Sequence, residues 1–406
     1  MRKKDEDENA HHSGSEEDRK TKATRLSAGS DDGVTWKVLI LPQLECVKQS
    51  ITFDLTFQPW QHAVDKIRRI QHLNTTPNLQ NPGYVRQKQN SKLWVRERLG
   101  ALLDCDSFIE VGSLTGKPVL DKSTGELKDF TPAYVLMFTL SCQALATQHK
   151  VPIIRLLDGS SGGGSVATYL TVGATYIPPL AGLGQSMTAM TTVPVVSALL
   201  GPVVGLGSAK AVTSHFSVMV KGLSQLFAAG PPVVKQATYE DLSKEALGGW
   251  EIHGRNGTID NVAMSELDAF QQIKTFLSFL PSSIYAMPPV LSSSDPADRR
   301  EEELVSIIPR RRTRTYDIRR LIHLVVDINR QAEREDSFFE IGSTWGRSVV
   351  TGLARLCGMP VGVLSSDCTV GGGVLDALAS QKAARFVNLC DQFGSVPSHV
   401  ILDFDY

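Results

Sequence analysis

Paired cysteines are absent from this sequence. Its six cysteines are spread over 406 residues, without a Cys-x-x-Cys pair and without a histidine at ligand spacing. This distribution excludes a zinc knuckle and a disulfide framework. Unpaired cysteines are typical of a protein from a reducing compartment. We therefore expect this chain to bind no metal.

The sequence also lacks an excess of charge of either sign. Lys and Arg number 42 against 43 Asp and Glu, which gives a formal net charge of -1. A protein this close to neutrality has no bulk attraction for nucleic acid or anionic lipid. Local chemistry must select its partners, and we expect no nucleic acid among them.

Long uninterrupted apolar runs are missing as well. The most apolar stretch, residues 172–212, contains four prolines and repeated glycines. Prolines and glycines in this number break a membrane-spanning helix. The stretch is more typical of buried strands and turns, so we expect no membrane span.

The N-terminal segment has few apolar residues. In residues 1–33, Leu26 is the only large aliphatic side chain after Met1. Such a segment cannot bury enough surface to fold, so we predict a disordered charged tail. Seven acidic residues occur among the first 18, whereas a mitochondrial presequence is basic and poor in acids. No presequence is predicted.

One heptapeptide occurs twice. Residues 106–112 read DSFIEVG, and residues 336–342 read DSFFEIG. The spacing is too long for a solenoid and fits two copies of one domain-sized fold. The sequence therefore predicts an internal duplication.

Strands that end in glycine-rich turns alternate with helical segments along the chain, which indicates an α/β fold. Interleaved charged and apolar residues at 57–103 predict a helical lead-in. The Pro- and Ser-rich residues 288–303 predict a linker. We therefore expect a first domain at 57–287, including the lead-in, and a second at 304–406.

Three consecutive glycines, residues 162–164, closely follow an apolar strand that ends at Asp158. A turn without side chains lets two backbone N–H groups point at one ligand atom, as in an oxyanion hole. A flexible turn that uses glycine only for positive φ angles is the alternative. The nearby Ser160, Ser161 and Ser165 lack the G-x-S-x-G elbow of a nucleophile. The turn matches neither a dinucleotide fingerprint nor a Walker loop.

Arginines crowd the start of the second domain, at Arg310, Arg311, Arg312 and Arg314. A solvated face and a contact with phosphate groups are the two interpretations of this cluster.

Several strings show a more specific resemblance. They are LGPVVGLGSAKAVTSHFSVMV, EALGGWEIHGRNGTIDNVA, FLSFLP, DSFFEIGSTWGRSVVTGLARLCGMPVGVL and KAARFVNLCDQF. In this order, within about 57–403, they resemble the carboxyltransferase (beta) subunits of biotin-dependent acyl-CoA carboxylases. Propionyl-CoA and methylcrotonyl-CoA carboxylases are members of that family.

The resemblance implies two crotonase-like domains in tandem, assembled as a homo-hexamer. It implies transfer of a carboxyl group from carboxybiotin to the α-carbon of an acyl-CoA. Biotin would be the cofactor, carried by a partner alpha subunit. The resemblance also implies the mitochondrial matrix, although no presequence is predicted; the cytoplasm is the alternative.

The resemblance further implies the catalytic residues. The family's Asp-Ser-Gly-Gly-Ala turn falls on Ser161, Gly162, Gly163 and Gly164. In the family, the N–H groups of this turn stabilise a thioester enolate, so Gly162 and Gly163 are the expected donors. Ser161 and Gly164 are expected to contact acyl-CoA or biotin.

A second glycine turn follows in the family, with the pattern Gly-Pro-x-x-Gly-Gly-Ala. It falls on Gly201, Pro202, Gly205, Leu206 and Gly207, with Leu206 where glycine is usual. Through the same resemblance we expect Gly205, Gly207 and Ser208 near acyl-CoA or biotin.

The chain departs from the family in two places. A strand pair that normally follows the first heptapeptide has no counterpart here, and Tyr406 lies before the family's C-terminal glycines. We therefore expect an internally shortened first domain and an incomplete second one. Two other functions stay open: a catalytically impaired fragment that only binds acyl-CoA or an assembly partner, and a crotonase-type acyl-CoA hydrolase.

Overall fold

The computed structural model describes residues 60–114, 116–132, 136–160, 183–311, 313–329, 335–393 and 399–402. The predicted tail lies outside these residues. The described chain starts with three helices, which confirms the helical lead-in. An antiparallel strand pair then follows the first heptapeptide, so the expectation that such a pair has no counterpart there is wrong; among the described residues this pair forms a sheet of its own, apart from the parallel strands. These elements are α1 (Gln61–Thr75), α2 (Pro82–Gln89), α3 (Val95–Leu102), β1 (Gly116–Leu120) and β2 (Leu127–Pro132).

A parallel sheet follows, in the order β3-β4-β5-β7, and β6 pairs with the end of β4. Its strands are β3 (Ile153–Ser160), β4 (Val195–Val204), β5 (Phe216–Val220), β6 (Gln225–Phe227) and β7 (Asn261–Ala263). Helices alternate with these strands: α4 (Leu136–His149), α5 (Leu183–Met190), α6 (Leu206–Val212), α7 (Pro231–Thr238), α8 (Lys244–Gly248) and α9 (Trp250–His253). Residues 195–201 of β4 and all of β5 are buried, as near-continuous apolar parallel strands should be.

Helix α10 (Glu266–Phe279) follows the first sheet. The Ser265 side chain accepts a hydrogen bond from the Asp268 N–H at 3.1 Å, which caps the helix. Phe270, Ile273 and Phe276 are buried at helical spacing. The helix therefore turns one apolar face to the core.

A second sheet has the order β10-β11-β12-β13. The hairpin of β11 and β12 is antiparallel, and β13 runs parallel to β12. The elements of this half are α11 (Ile318–Val325), β8 (Ile328–Asn329), β9 (Glu335–Asp336), β10 (Phe339–Ile341), β11 (Val349–Leu356), β12 (Met359–Ser366), α12 (Ala377–Gln392) and β13 (His399–Leu402).

One buried cluster joins the two sheets. Phe216 of β5 stacks on Phe276 of α10 with ring centroids 4.6 Å apart. Phe339 of β10 meets Phe216 edge-on at 5.7 Å. Burial of aromatic rings is a large apolar contribution, so this contact is a main source of cohesion between the halves.

The predicted linker packs on the second half through Arg299. This guanidinium lies 2.8 Å from Asp295, and it donates to the carbonyls of Leu324 and Val326 at 2.8 Å. The segment therefore follows the protein surface. Within the described residues, no helix has the length and apolarity needed to cross a bilayer.

Candidate functional site

The carboxyl ends of β3 and β4 lie side by side. Ser160, the last residue of β3, pairs with Val204, the last residue of β4. Ligands of open parallel sheets bind outside the carboxyl ends of the strands. The chain leaves β3 directly into Ser161, Gly162, Gly163 and Gly164, which lie outside the described residues.

Gly205 follows Val204 at this edge and starts helix α6. Its φ of 67° and ψ of -125° suit glycine alone. It is exposed, and a Cβ built there would meet no atom of the described chain within 4 Å. A ligand can therefore approach the Gly205 backbone closely.

Gly207 and Ser208 lie in the first turn of helix α6, and their contacts are with the protein. Gly207 is buried. The Ser208 hydroxyl lies 2.8 Å from the Phe227 carbonyl and 3.1 Å from the Val203 carbonyl. The Gly205 N–H donates to the same Phe227 carbonyl at 3.3 Å. These bonds hold the turn between β4 and β6, so the hydroxyl is engaged inside the fold.

Four charged side chains meet below the same edge. Lys92 Nζ lies 2.8 and 3.0 Å from the two carboxylate oxygens of Asp158. Arg98 donates to Asp158 Oδ2 at 2.9 Å and to Glu266 Oε1 at 3.0 Å. Each of the four side chains is less than one fifth exposed. Buried ion pairs of this kind depend on complete pairing, and here each charge has an opposite partner.

Gly201 of β4 leaves space for this cluster. A Cβ at Gly201 would lie 1.9 Å from Asp158 Oδ1 and 2.3 Å from Lys92 Nζ. The ion pair therefore presses against the β4 backbone, four residues before Gly205. The resemblance noted Gly201 as a turn residue, whereas its contacts show that it makes room for charge.

Helix α6 is held at its far end by Arg155 of β3. The guanidinium donates to the carbonyls of Lys210 and Thr213 at 2.9 and 2.7 Å. A cation at a helix C-terminus is favourable because the last carbonyls lack helical partners. Burial lowers the pKa of Arg155 to about 10.

The second half has a glycine triplet that the sequence reasoning missed. Gly371, Gly372 and Gly373 all have positive φ angles and follow the carboxyl end of β12. The Ser366 hydroxyl donates to the Gly373 carbonyl at 2.8 Å. A second Gly-Gly-Gly string in the sequence was the available signal.

A buried amine lies next to this half's core. Lys382 Nζ donates to the carbonyls of Val349 and Trp345 at 2.6 and 3.3 Å. Burial lowers its pKa to about 8. Because the hydrogen bonds of Lys382 to the described residues are to main-chain carbonyls, it supports the loop at Trp345.

Other sequence-predicted features contribute no geometry to the site. Arg310, Arg311 and Arg314 are exposed, and Arg312 lies outside the described residues. No group of three His, Cys, Asp or Glu side chains that could hold a metal occurs within the described part of the chain.

Comparison with known proteins adds the family context. A family model described as carboxyl transferase domain matches residues 139–403. The propionyl-CoA carboxylase beta chain of Homo sapiens, named as mitochondrial, is 32% identical over 344 residues, which are 78% of this chain and 62% of that protein. The methylmalonyl-CoA decarboxylase alpha subunit of Veillonella parvula is 29% identical over 339 residues, 76% of this chain and 64% of that protein. This chain thus spans less than two thirds of these relatives.

A solved structure has a similar mixed α/β fold. It is the hexameric transcarboxylase 12S with hydrolysed methylmalonyl-coenzyme A bound, which is 26% identical with a TM-score of 0.69. The alignment covers 84% of this chain and 70% of that chain.

Proposed function

Because this chain belongs to the carboxyl transferase family, we propose that it is the carboxyltransferase subunit of a biotin-dependent acyl-CoA carboxylase. The chain transfers a carboxyl group from carboxybiotin to the α-carbon of an acyl-CoA. Propionyl-CoA is the first substrate to test, since the human relative is named for it.

The pairing of Ser160 with Val204 is the observation on which this proposal depends. It places the last residue of β3, which precedes the predicted turn at 161–164, beside the residue that precedes the exposed Gly205. In the proposal, the glycine turn that follows β3 offers its backbone N–H groups to the ligand, whereas the Gly205 N–H is engaged by the Phe227 carbonyl. This arrangement suits a reaction that needs electrostatic stabilisation and positioning and uses no protein nucleophile.

In the proposal, the N–H groups of Gly162 and Gly163 stabilise the negative charge that develops on the thioester oxygen. Ser161, Gly164 and Gly205 line the approach of the acyl-CoA. Carboxybiotin supplies the activated carboxyl group when it is bound. Gly205 fits a close approach of either group, because its backbone is open to solvent and bears no side chain.

The proposed assembly follows the same family. We propose two crotonase-like domains in tandem, a homo-hexamer and a partner subunit that carries biotin. The hexamer of transcarboxylase 12S supports this proposal. Light scattering on the purified chain tests the hexamer, and a monomer at micromolar concentration would contradict it.

We propose the mitochondrial matrix as the compartment, on the name of the human relative. Microscopy of the tagged full-length protein tests this placement, and a uniformly cytosolic signal would overturn it.

The central experiment measures binding and turnover separately. Calorimetry with propionyl-CoA should show binding that Gly163→Val abolishes, because a branched side chain blocks the turn. The control is Gly100→Ala in helix α3, where a Cβ meets nothing within 4 Å.

Carboxylation of propionyl-CoA with a biotinylated partner subunit then tests transfer. Absence of acyl-CoA binding by the parent chain would refute the proposal. Release of free acid without biotin would show a hydrolase, and binding without turnover would show an impaired fragment.

A further inference from the structure

Asp158 is held by two cations from the helical lead-in. Lys92 lies in the short connection between α2 and α3, and Arg98 lies within α3. Lys92 is 66 positions and Arg98 is 60 positions away in sequence from Asp158, whose carboxylate both contact. These ion pairs therefore connect the lead-in to the carboxyl end of strand β3.

The same cluster extends to helix α10 through Glu266. Glu266 accepts from the Leu93 N–H at 2.7 Å and from Arg98 Nε at 3.0 Å. Two cations thus face two carboxylates in a site that is largely buried. A network with complete pairing has one low-energy arrangement, because any displacement leaves a buried charge without its partner.

The cluster lies at the carboxyl ends of strands β3 and β4. Asp158 precedes Ser161 by three residues, and Gly201 precedes Gly205 by four. Since Asp158 of β3 and Lys92 pack against Gly201 of β4, the ion pair contacts the ends of both strands. Moving the Lys92 amine therefore changes the support of the ends of both strands.

We propose that Lys92 and Arg98 are positioning residues for the acyl-CoA site, acting through Asp158. This inference rests on the proposed function for its catalytic consequence. It assigns a role to the lead-in, which precedes the family match that begins at residue 139. Neither cation contacts substrate in the proposal, so their effect is on the geometry of the turns.

Hydrogen–deuterium exchange with Lys92→Met tests the geometry without any assay of activity. The substitution keeps the length of the side chain and removes the amine. We expect amides in peptides covering 157–166 and 200–208 to exchange about tenfold faster, because local opening becomes easier when the support is lost.

The matched control is Lys88→Met in the same lead-in. Lys88 pairs with Glu97, and both side chains are at least one third exposed. It should leave exchange in both peptides unchanged. Unaltered exchange in Lys92→Met, or equal acceleration in both variants, would overturn the inference.

Turnover supplies the second measurement. Misplaced turns should lower kcat for carboxyl transfer by about tenfold or more, since small displacements of catalytic groups are costly. The KM for acyl-CoA should change less than threefold. A parent chain that does not bind acyl-CoA would end the proposed function, while the exchange result would still decide the positioning role.

A double-mutant cycle distinguishes an effect through the ion pair from a general loss of stability. Lys92→Met and Asp158→Asn should each accelerate exchange, and the double variant should add little to either, because both act through one ion pair. Additive effects would contradict the inference. If Lys92→Met does not fold, Lys92→Gln removes the charge with a polar side chain and should accelerate exchange in the same peptides; unaltered exchange in that variant would overturn the inference.

Discussion

Asn261 Oδ1 accepts the backbone N–H of Gly342 at 2.8 Å. This bond links the last strand of the first sheet to the last residue of the second heptapeptide. The Asn261 amide also donates to the Glu340 carbonyl at 3.1 Å. The Asn261 side chain therefore hydrogen-bonds a backbone N–H and a backbone carbonyl at the end of strand β10, and it holds the two halves together.

Replacing Asn261 with alanine should destabilise the chain. The Gly342 N–H and the Glu340 carbonyl would lose their partners, which costs about 2 to 4 kcal/mol in the free energy of unfolding. Urea unfolding followed by circular dichroism measures the loss. Gln271→Ala, on the exposed face of α10, is the control and should stay within about 0.5 kcal/mol. Equal stability of both variants would contradict the assigned role.

Gly201→Ala should destabilise by about 1 to 3 kcal/mol, because the new Cβ forces Asp158 and Lys92 to move in a packed site. The distances of 1.9 and 2.3 Å leave no room for a methyl group. Gly100→Ala serves as the opposite case: it lies in helix α3 with open space, and it should stabilise by about 0.5 to 1 kcal/mol. Thermal unfolding of the two variants checks the contrast. A neutral Gly201→Ala would show that the charge cluster yields easily.

His215 should make stability depend on pH below neutrality. Burial lowers its pKa to about 4 from 6.5, with further lowering by Arg155 and Arg385. The unfolded chain binds the proton more readily, so stability is complete above pH 6.5 and falls between pH 6.5 and 4. The full effect is about 3 kcal/mol.

Urea unfolding at pH 7 and pH 4.5 measures this dependence. His215→Asn should flatten the curve in that window while keeping an acceptor for the Val195 N–H, which now bonds Nδ1 at 2.9 Å. His149→Asn, at an exposed position of α4, should keep the wild-type slope. A slope that survives in His215→Asn would assign the effect to another group.

The cysteines should differ sharply in alkylation. Burial raises the pKa of the Cys390 thiol to about 12, and the thiolate is the reactive form. Cys105, Cys142 and Cys357 are exposed. Iodoacetamide at pH 8 should therefore modify these three in the native protein and Cys390 only after denaturation. Site-resolved mass spectrometry decides, and rapid labelling of native Cys390 would show that the second half opens readily.

The repeated heptapeptide shows how far local sequence predicts structure. The second copy forms strand β10, in which Ile341 is buried. The first copy forms no strand, and Phe108, Ile109 and Val111 are exposed. A strand needs a neighbouring strand to satisfy its backbone, and among the described residues only the second copy has one, β11.

Several elements were predictable because their signals are local. Strand β5, the Ser265 cap and the hairpin of β11 and β12 follow from apolar periodicity and from capping and turn residues. The family resemblance was likewise readable from ordered strings, and the family match confirms it. The proposed donors Gly162 and Gly163 stay a prediction.

Long-range pairing was not predictable in the same way. Lys92 and Asp158 are 66 residues apart, and no periodicity or spacing connects them. They make contact because β3 and β4 are neighbouring parallel strands, so the carboxyl end of β3 lies beside Gly201 of β4 and within reach of Lys92 from the lead-in.

Local chemistry therefore specified the strands, caps and glycine turns of this protein from its sequence. The tertiary structure determined which strand ends lie side by side, which charges pair and which copy of the heptapeptide becomes a strand. The physical reason is that backbone preferences act over a few residues, whereas ion pairing, strand pairing and burial depend on neighbours supplied from elsewhere in the chain.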